Sequence, residues 1–240
     1  MSARARAMIQ LTFPLAGEAA YGRSDFFVSD ANAAALAWLD RWPDWPSPAL
    51  LLHGPQGCGK THLAHLWCAR APAALVPADA LDETGLRRLL DGGHRRIAVD
   101  DADRATEAPL LHLLNACREN GGSLLLTART SPGSWPAGLP DLGSRLRAAL
   151  AIGIGQPDDA LLGAVLAKHF ADRQVRVGAG VIAYLVEHME RSLAAAAEIA
   201  AALDLAALSG GGAITVPLAR RLLAERRDHP LLPDRDPTVS

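Results

Sequence analysis

The octapeptide Gly54-Pro55-Gln56-Gly57-Cys58-Gly59-Lys60-Thr61 has the spacing G-x-x-x-x-G-K-[ST]. It follows an apolar run, Ala49–His53, and opens a helical pattern that extends from Lys60 to Arg70. In that setting the glycines let backbone N–H groups turn inward around phosphate oxygens, and the helix N-terminus adds partial positive charge. Lys60 is then the group that reaches the terminal phosphates, and the Thr61 hydroxyl a ligand for Mg²⁺. All eight residues, Gly54, Pro55, Gln56, Gly57, Cys58, Gly59, Lys60 and Thr61, are candidate cofactor-binding positions. Cys58 fills one of the free positions of the pattern, so it reads as filler rather than as a reactive thiol.

Outward from this loop, short apolar runs alternate with longer helical patterns. Strands are expected at Ala49–His53, Ala74–Val76, Arg96–Asp100, Ser123–Thr127 and near Leu150–Ile154, with helices at Lys60–Arg70, about Glu83–Leu90 and Glu107–Asn120 between them. Strands that are apolar throughout and separated by helices imply a five-stranded parallel sheet covered on both faces, an α/β domain. Ahead of it, Asp30 to Trp42 reads as a helix with Asp30 as its N-cap, ended by the prolines of Trp42–Pro48. After Pro157 the strand signal stops. Helical patterns near Asp158–Asp172, Ala179–Met189, Ser192–Leu208 and Pro217–Arg227 predict a small all-helical second domain. The expected organisation is an N-terminal arm over 1–20, the nucleotide-binding domain over 21–156, the helical lid over 157–228 and a loose tail over 229–240.

Forty residues after Lys60, Ile97-Ala98-Val99-Asp100-Asp101 places two carboxylates at the carboxyl end of an apolar strand, where open α/β sheets bind ligands. Beside a phosphate loop, Asp100 is expected to join Thr61 in holding Mg²⁺, and Asp101 to orient or deprotonate the attacking water. Thr127 ends the next strand and leaves two readings open. It either contacts the terminal phosphate or its water, or it is an ordinary β-branched residue at a strand end.

The 240 residues carry a net charge of −2, and only Lys60 and Lys168 among the basic residues are lysines, so no dense footprint for a nucleic-acid backbone is present. Cys58, Cys68 and Cys117 match no zinc spacing and are odd in number, which fits reduced thiols in a cytoplasmic protein. No uncharged apolar run reaches the length of a membrane span, and the residues from Met1 to Ile9 lack the apolar core of a signal peptide.

A phosphate loop, an Asp-Asp strand end, a polar third strand end and an arginine ahead of a helical lobe, in that order, resemble the AAA+ ATPases. More narrowly the chain resembles the family of the replication initiator DnaA, and within it the short Hda/HdaA branch. The pieces that carry this likeness are Gln10-Leu11-Thr12-Phe13-Pro14-Leu15, Asp40-Arg41-Trp42-Pro43-Asp44-Trp45-Pro46, Gly59-Lys60-Thr61-His62-Leu63 and Leu139-Pro140-Asp141-Leu142-Gly143-Ser144-Arg145-Leu146. The resemblance implies ADP or ATP between sheet domain and lid, with the base near Phe26 and Val28. It also implies an arginine finger at Arg145, directed at the nucleotide of DnaA. It further implies docking of Gln10, Leu11, Phe13 and Leu15 on the DNA polymerase III sliding clamp, and it allows a homo-oligomer. It aligns Ala194 with the lid arginine of the family, with Arg191 about one turn away, which implies weak hydrolysis by the chain itself. The helix-turn-helix domain that follows the lid in DnaA is not expected here, so neither is sequence-specific DNA binding. A negative regulator of replication initiation is the function implied. The competing readings are a stand-alone ATPase of helicase-loader type, a small-molecule kinase and a pure adaptor.

Overall fold

The computed structural model describes residues 22–23, 26–135, 138–210 and 212–228. Five parallel strands, β1 (Ala49–His53), β2 (Ala74–Pro77), β3 (Arg96–Asp100), β4 (Ser123–Ala128) and β5 (Leu150–Gly153), form one sheet in the order β2-β3-β4-β1-β5. Helix α1 (Ala33–Asp40) precedes the first strand, and α2 (Lys60–Arg70), α3 (Glu83–Asp91), α4 (Glu107–Glu119) and α5 (Pro140–Ala148) lie between the strands. The expected five-stranded α/β architecture is therefore observed.

Both faces of the sheet are covered, which is why the strands read as unbroken apolar runs. Leu51, Ile97, Val99, Leu124 and Leu126 join a core with Leu86 and Leu89 of α3, Leu110 and Leu113 of α4, and Leu142 and Leu146 of α5. The intervening residues Leu50, Leu52, Ala98 and Leu125 point the other way, into a core with Leu36 of α1 and Leu63, Ala64 and Trp67 of α2. Each fully buried leucine here contributes about 1.5–3 kcal/mol through loss of apolar surface from water. Trp45 stacks on Trp67 at 5.3 Å between ring centroids and donates its indole N–H to the Trp38 carbonyl at 2.8 Å, closing the second core at its edge.

Two local expectations need correction. The helix expected from Asp30 to Trp42 spans only Ala33–Asp40, and the residue before it is Asn32, not Asp30. Asn32 is buried, accepts the N–H of Ser29 at 3.0 Å and donates to the Phe27 carbonyl, so its side chain holds the incoming segment and caps nothing. The second is α5, which the sequence pattern did not suggest, because Pro140 and Gly143 depress its helical signal.

The helical lobe consists of α6 (Asp159–Asp172), α7 (Ala179–His188), α8 (Leu193–Gly210) and α9 (Val216–Asp228). Leu162, Leu166 and Phe170 of α6, Leu185 of α7, Ala196, Ile199, Ala200 and Leu203 of α8, and Leu223 of α9 make a third core. The alanines of α8 let α6 pack closely against it. Among the described residues α8 alone is long and apolar enough, by length and composition, to cross a membrane. Ala196, Ile199, Ala200 and Leu203 nevertheless lie buried in this lobe.

Candidate functional site

The Gly54–Thr61 loop leaves the carboxyl end of β1 and enters α2. Gly54 is pressed between strands. Its N–H donates to the Ala128 carbonyl at 3.2 Å, and a Cβ there would lie 2.3 Å from the carbonyl oxygen of Ile154. Gly57 takes φ of +72°, a left-handed conformation that L side chains avoid. Lys60 is 6 % exposed, and its Nζ donates to the carbonyl oxygens of Gly54 and Pro55, both at 2.8 Å. The ammonium is thus folded into its own loop, with its donors satisfied by carbonyls. Cys58 is buried beneath this loop, and burial pushes its thiol above the ordinary range despite the neighbouring Lys60 charge. A high thiol pKa removes the nucleophilic thiolate, in keeping with a packing role.

Asp100 ends β3, and β4, with Thr127, lies between β3 and β1. This order brings Thr61, Asp100 and Thr127 together from three separate segments. Thr61 Oγ1 donates to Asp100 Oδ2 at 2.8 Å, and Thr127 Oγ1 donates to Asp100 Oδ1 at 2.5 Å. The Thr127 hydroxyl also accepts the N–H of Asp101 at 2.9 Å, and the residue is 0 % exposed. Both capacities of that hydroxyl are therefore used within the strand ends. Neither sequence reading of Thr127 anticipated this arrangement, in which it fixes the Asp100 carboxylate and the turn at Asp101. Asp101 adopts φ of +52° and ψ of +41°, a left-handed turn that an aspartate tolerates better than most residues. Its carboxylate makes no hydrogen bond or ion pair with another described residue.

The helical lobe meets the Gly54–Thr61 loop through a residue that the sequence reading did not single out. Ser192 precedes α8, is 4 % exposed, and accepts the Ala195 N–H at 3.3 Å. The Leu193 N–H donates to the Gly57 carbonyl at 2.8 Å. A Cβ on Gly57 would lie 1.9 Å from Ser192 Oγ, so the amino end of α8 rests directly on the loop. The signal was present in the sequence, because serine before an alanine-rich run is a favoured N-cap. Arg191 is held elsewhere, paired with Asp159 at 2.7 Å and donating to the Pro157 carbonyl at 2.9 Å, while Ala194 carries no cation at all.

Arg145 lies on α5, whose Leu142 and Leu146 are buried against the sheet. Its side chain is 24 % exposed, and Nε approaches Asp141 Oδ2, one turn earlier, at 3.4 Å. The start of α5 is gripped from α4: the Glu107 carboxylate accepts the N–H groups of Gly138 at 2.7 Å and Leu139 at 2.8 Å. Glu107 and Asp141 are two supports of this element that sequence patterning left unmarked.

Phe26 packs edge-on against His62 of α2, with ring centroids 5.2 Å apart, whereas Val28 is exposed and joins no core cluster. Gln10, Leu11, Phe13 and Leu15, with the rest of the arm over 1–20 and the tail over 229–240, lie outside the described residues. Among the described residues, no group of three or more His, Cys, Asp or Glu side chains could hold a metal ion. The Thr61 hydroxyl and the Asp100 carboxylate fit Mg²⁺ all the same, since that ion takes one or two protein oxygens and completes its shell with phosphate and water.

No family model and no curated protein matches the chain. Solved structures do resemble it. Domain III of the Thermotoga maritima replication initiation protein DnaA superposes with a TM-score of 0.73 at 17 % identity, covering 85 % of this chain and 96 % of that one. The AMPPCP-bound DnaA of Aquifex aeolicus gives 0.68 at 16 % identity, over 87 % of this chain and 70 % of that one. The Thermotoga maritima RuvB Holliday junction branch migration motor gives 0.63 at 15 % identity, over 81 % and 66 %.

Proposed function

With the AAA+ P-loop NTPase fold of DnaA and RuvB as the premise, we propose that the chain is a nucleotide-bound, DnaA-related regulator of replication initiation. In this reading ADP or ATP, with Mg²⁺, sits between the Gly54–Thr61 loop and the helical lobe. The sliding clamp, loaded on DNA, is engaged through Gln10, Leu11, Phe13 and Leu15, and Arg145 is presented to the ATP held by DnaA. Hydrolysis of that ATP lowers the active initiator. The AMPPCP-bound state of the Aquifex aeolicus DnaA supports an adenine nucleotide as the ligand.

The observation that carries the proposal is an imbalance within the cradle. Thr61, Asp100 and Thr127 form a completed strand-end network, yet the lid contributes a serine hydroxyl and a backbone N–H where a cation would accelerate turnover. Such a cradle is suited to holding a nucleotide more than to consuming it. On binding, Lys60 would exchange the carbonyls of Gly54 and Pro55 for phosphate oxygens, so its buried charge never goes unpaired. Mg²⁺, when bound, neutralises phosphate charge. Thr127 keeps Asp100 Oδ2 directed at Thr61. Arg145, released from Asp141, stabilises negative charge developing on the phosphoryl group of the partner's nucleotide, a contribution of about three to five orders of magnitude in rate.

The test is hydrolysis of DnaA-bound ATP in the presence of DNA-loaded clamp, with wild type and Arg145→Ala. Stimulation by wild type and its loss in the variant are expected; equal stimulation sinks the finger assignment. Replacing Gln10 and Phe13 by alanine should abolish clamp binding with nucleotide affinity intact. A second reading, a stand-alone ATPase of helicase-loader type, is favoured by the Asp101 carboxylate, which no other described residue engages. It requires rapid turnover without DnaA that Asp101→Asn abolishes.

A further inference from the structure

At the amino ends of β3 and β4, on the edge of the sheet opposite the phosphate loop, lies a pocket of about 410 Å³. A strand of five residues separates the two edges by roughly 15 Å, so this pocket is distinct from the nucleotide cradle. Its cationic wall is Arg95-Arg96, with His94 beside them, and its apolar wall includes Trp42. Among the described residues no carboxylate lines it. Asp91 and Glu119 end the two neighbouring helices yet stay outside the lining.

We propose that this pocket is a second anion site, which takes a phosphate-bearing ligand on Arg95 and Arg96. Three observations converge on it. Neither arginine, nor His94, enters an ion pair or a side-chain hydrogen bond with another described residue. The obvious structural duty of cations at this edge is to offset the negative carboxyl ends of α3 and α4. That duty is already met by Arg88 and Arg118, which stand in the last turns of those helices. The pocket is also braced. Arg96 is opposite Ser123 in the β3–β4 register, and Ser123 Oγ accepts the Trp42 indole N–H at 3.0 Å, so the apolar wall and the cationic strand end are tied together. An arginine beside a fixed aromatic wall suits a phosphate or diphosphate, which arginine binds through paired, charge-assisted hydrogen bonds. The volume is that of a small-ligand site and admits one diphosphate or one nucleotide unit. The phosphate can belong to a free small molecule or to a nucleic-acid strand passing the sheet edge; the recognition chemistry is the same.

Calorimetric titration of the full chain with inorganic pyrophosphate tests this, using Lys60→Ala to silence the phosphate loop. Lys60→Ala should still bind pyrophosphate, with affinity falling severalfold from about 50 to about 300 mM salt. Adding Arg95→Gln and Arg96→Gln should weaken that binding tenfold or more, whereas Arg95→Lys with Arg96→Lys should retain most of it. Oligothymidylate distinguishes the sources. Affinity that grows with oligonucleotide length assigns the site to a strand, and affinity no higher than that of pyrophosphate assigns it to a free small anion. Absence of pyrophosphate binding to a folded Lys60→Ala, or equal binding after both glutamine substitutions, overturns the proposal. For wild-type loops, Arg95→Gln with Arg96→Gln should leave nucleotide affinity at the cradle unchanged.

Discussion

Replacing Gly57 by alanine strikes the point where lid and loop touch, and its cost can be divided into parts. The first part is backbone: an L residue held at φ of +72° costs about 1–2 kcal/mol. The second is contact. The new Cβ would stand 1.9 Å from Ser192 Oγ and 2.7 Å from Ser192 Cβ, so the start of α8 must retreat by more than an ångström. That retreat breaks the hydrogen bond from Leu193 N–H to the Gly57 carbonyl, worth about 0.5–1.5 kcal/mol. Gly57→Ala should therefore destabilise the protein by about 1.5–3.5 kcal/mol in urea denaturation. In a Ser192→Gly background the clash disappears and only the backbone part remains, about 1–2 kcal/mol. The difference is the coupling energy of a double-mutant cycle, expected at about 0.5–1.5 kcal/mol. If Gly57→Ala costs the same in both backgrounds, α8 does not rest on the loop, and the account of the lid given above is wrong.

Thr127→Val keeps the shape of the side chain and deletes its hydroxyl, leaving Asp100 Oδ1 and the Asp101 N–H without their partner; a loss of about 2–3 kcal/mol in chemical denaturation is expected, and one below about 0.5 would refute the network. Burial, and for Cys68 also the charge of Asp100, raises the Cys68 thiol to about 12, while burial raises Cys117 to about 11, so iodoacetamide at pH 8 should label neither until the protein unfolds. Rapid native labelling at either position would contradict that packing. Burial also lowers the pKa of His53 and of His169, where neighbouring Arg173 and Lys168 act in the same direction. The unfolded state then binds more protons just below the ordinary histidine pKa of 6.5, so stability is present above it and declines as pH falls toward the lowered folded values. The melting temperature should drop between about pH 7 and pH 5, and His53→Gln with His169→Gln should flatten that slope; an unchanged slope would place its origin elsewhere.

What the sequence disclosed followed from how strongly each element is dictated by its own residues. Ala49–His53, Lys60–Arg70 and Arg96–Asp100 are legible to the residue, because an apolar run bounded by glycine or charge has few alternatives. Strand order is another matter. That β4 inserts between β3 and β1 is a property of packing, and it is what puts Thr127 beside Asp100. No spacing in the chain encodes that pair. The helix α5 was hidden by Pro140 and Gly143, although the four-residue interval between Leu142 and Leu146 was a signal in its favour. Ser192 was legible as a helix start but not as the contact on Gly57, since the approach of a lid to a loop depends on the tertiary fit of two separate cores.

The alternation of side chains in the sheet has a consequence for how the molecule can pass on its state. Leu125 faces α2 and the phosphate loop, while its neighbours Leu124 and Leu126 face α4 and α5. The strand layer thus works as a partition wall, with the loop's helix on one side and the helix bearing Arg145 on the other. A rearrangement of the lid or of α2 meets the strand layer before it meets α5, whose entry is clamped by Glu107 on the far side of the wall. The cradle and the surface around Arg145 therefore communicate through the strand ends, where Gly54 is pressed against Ile154 just after β5, the strand that follows α5.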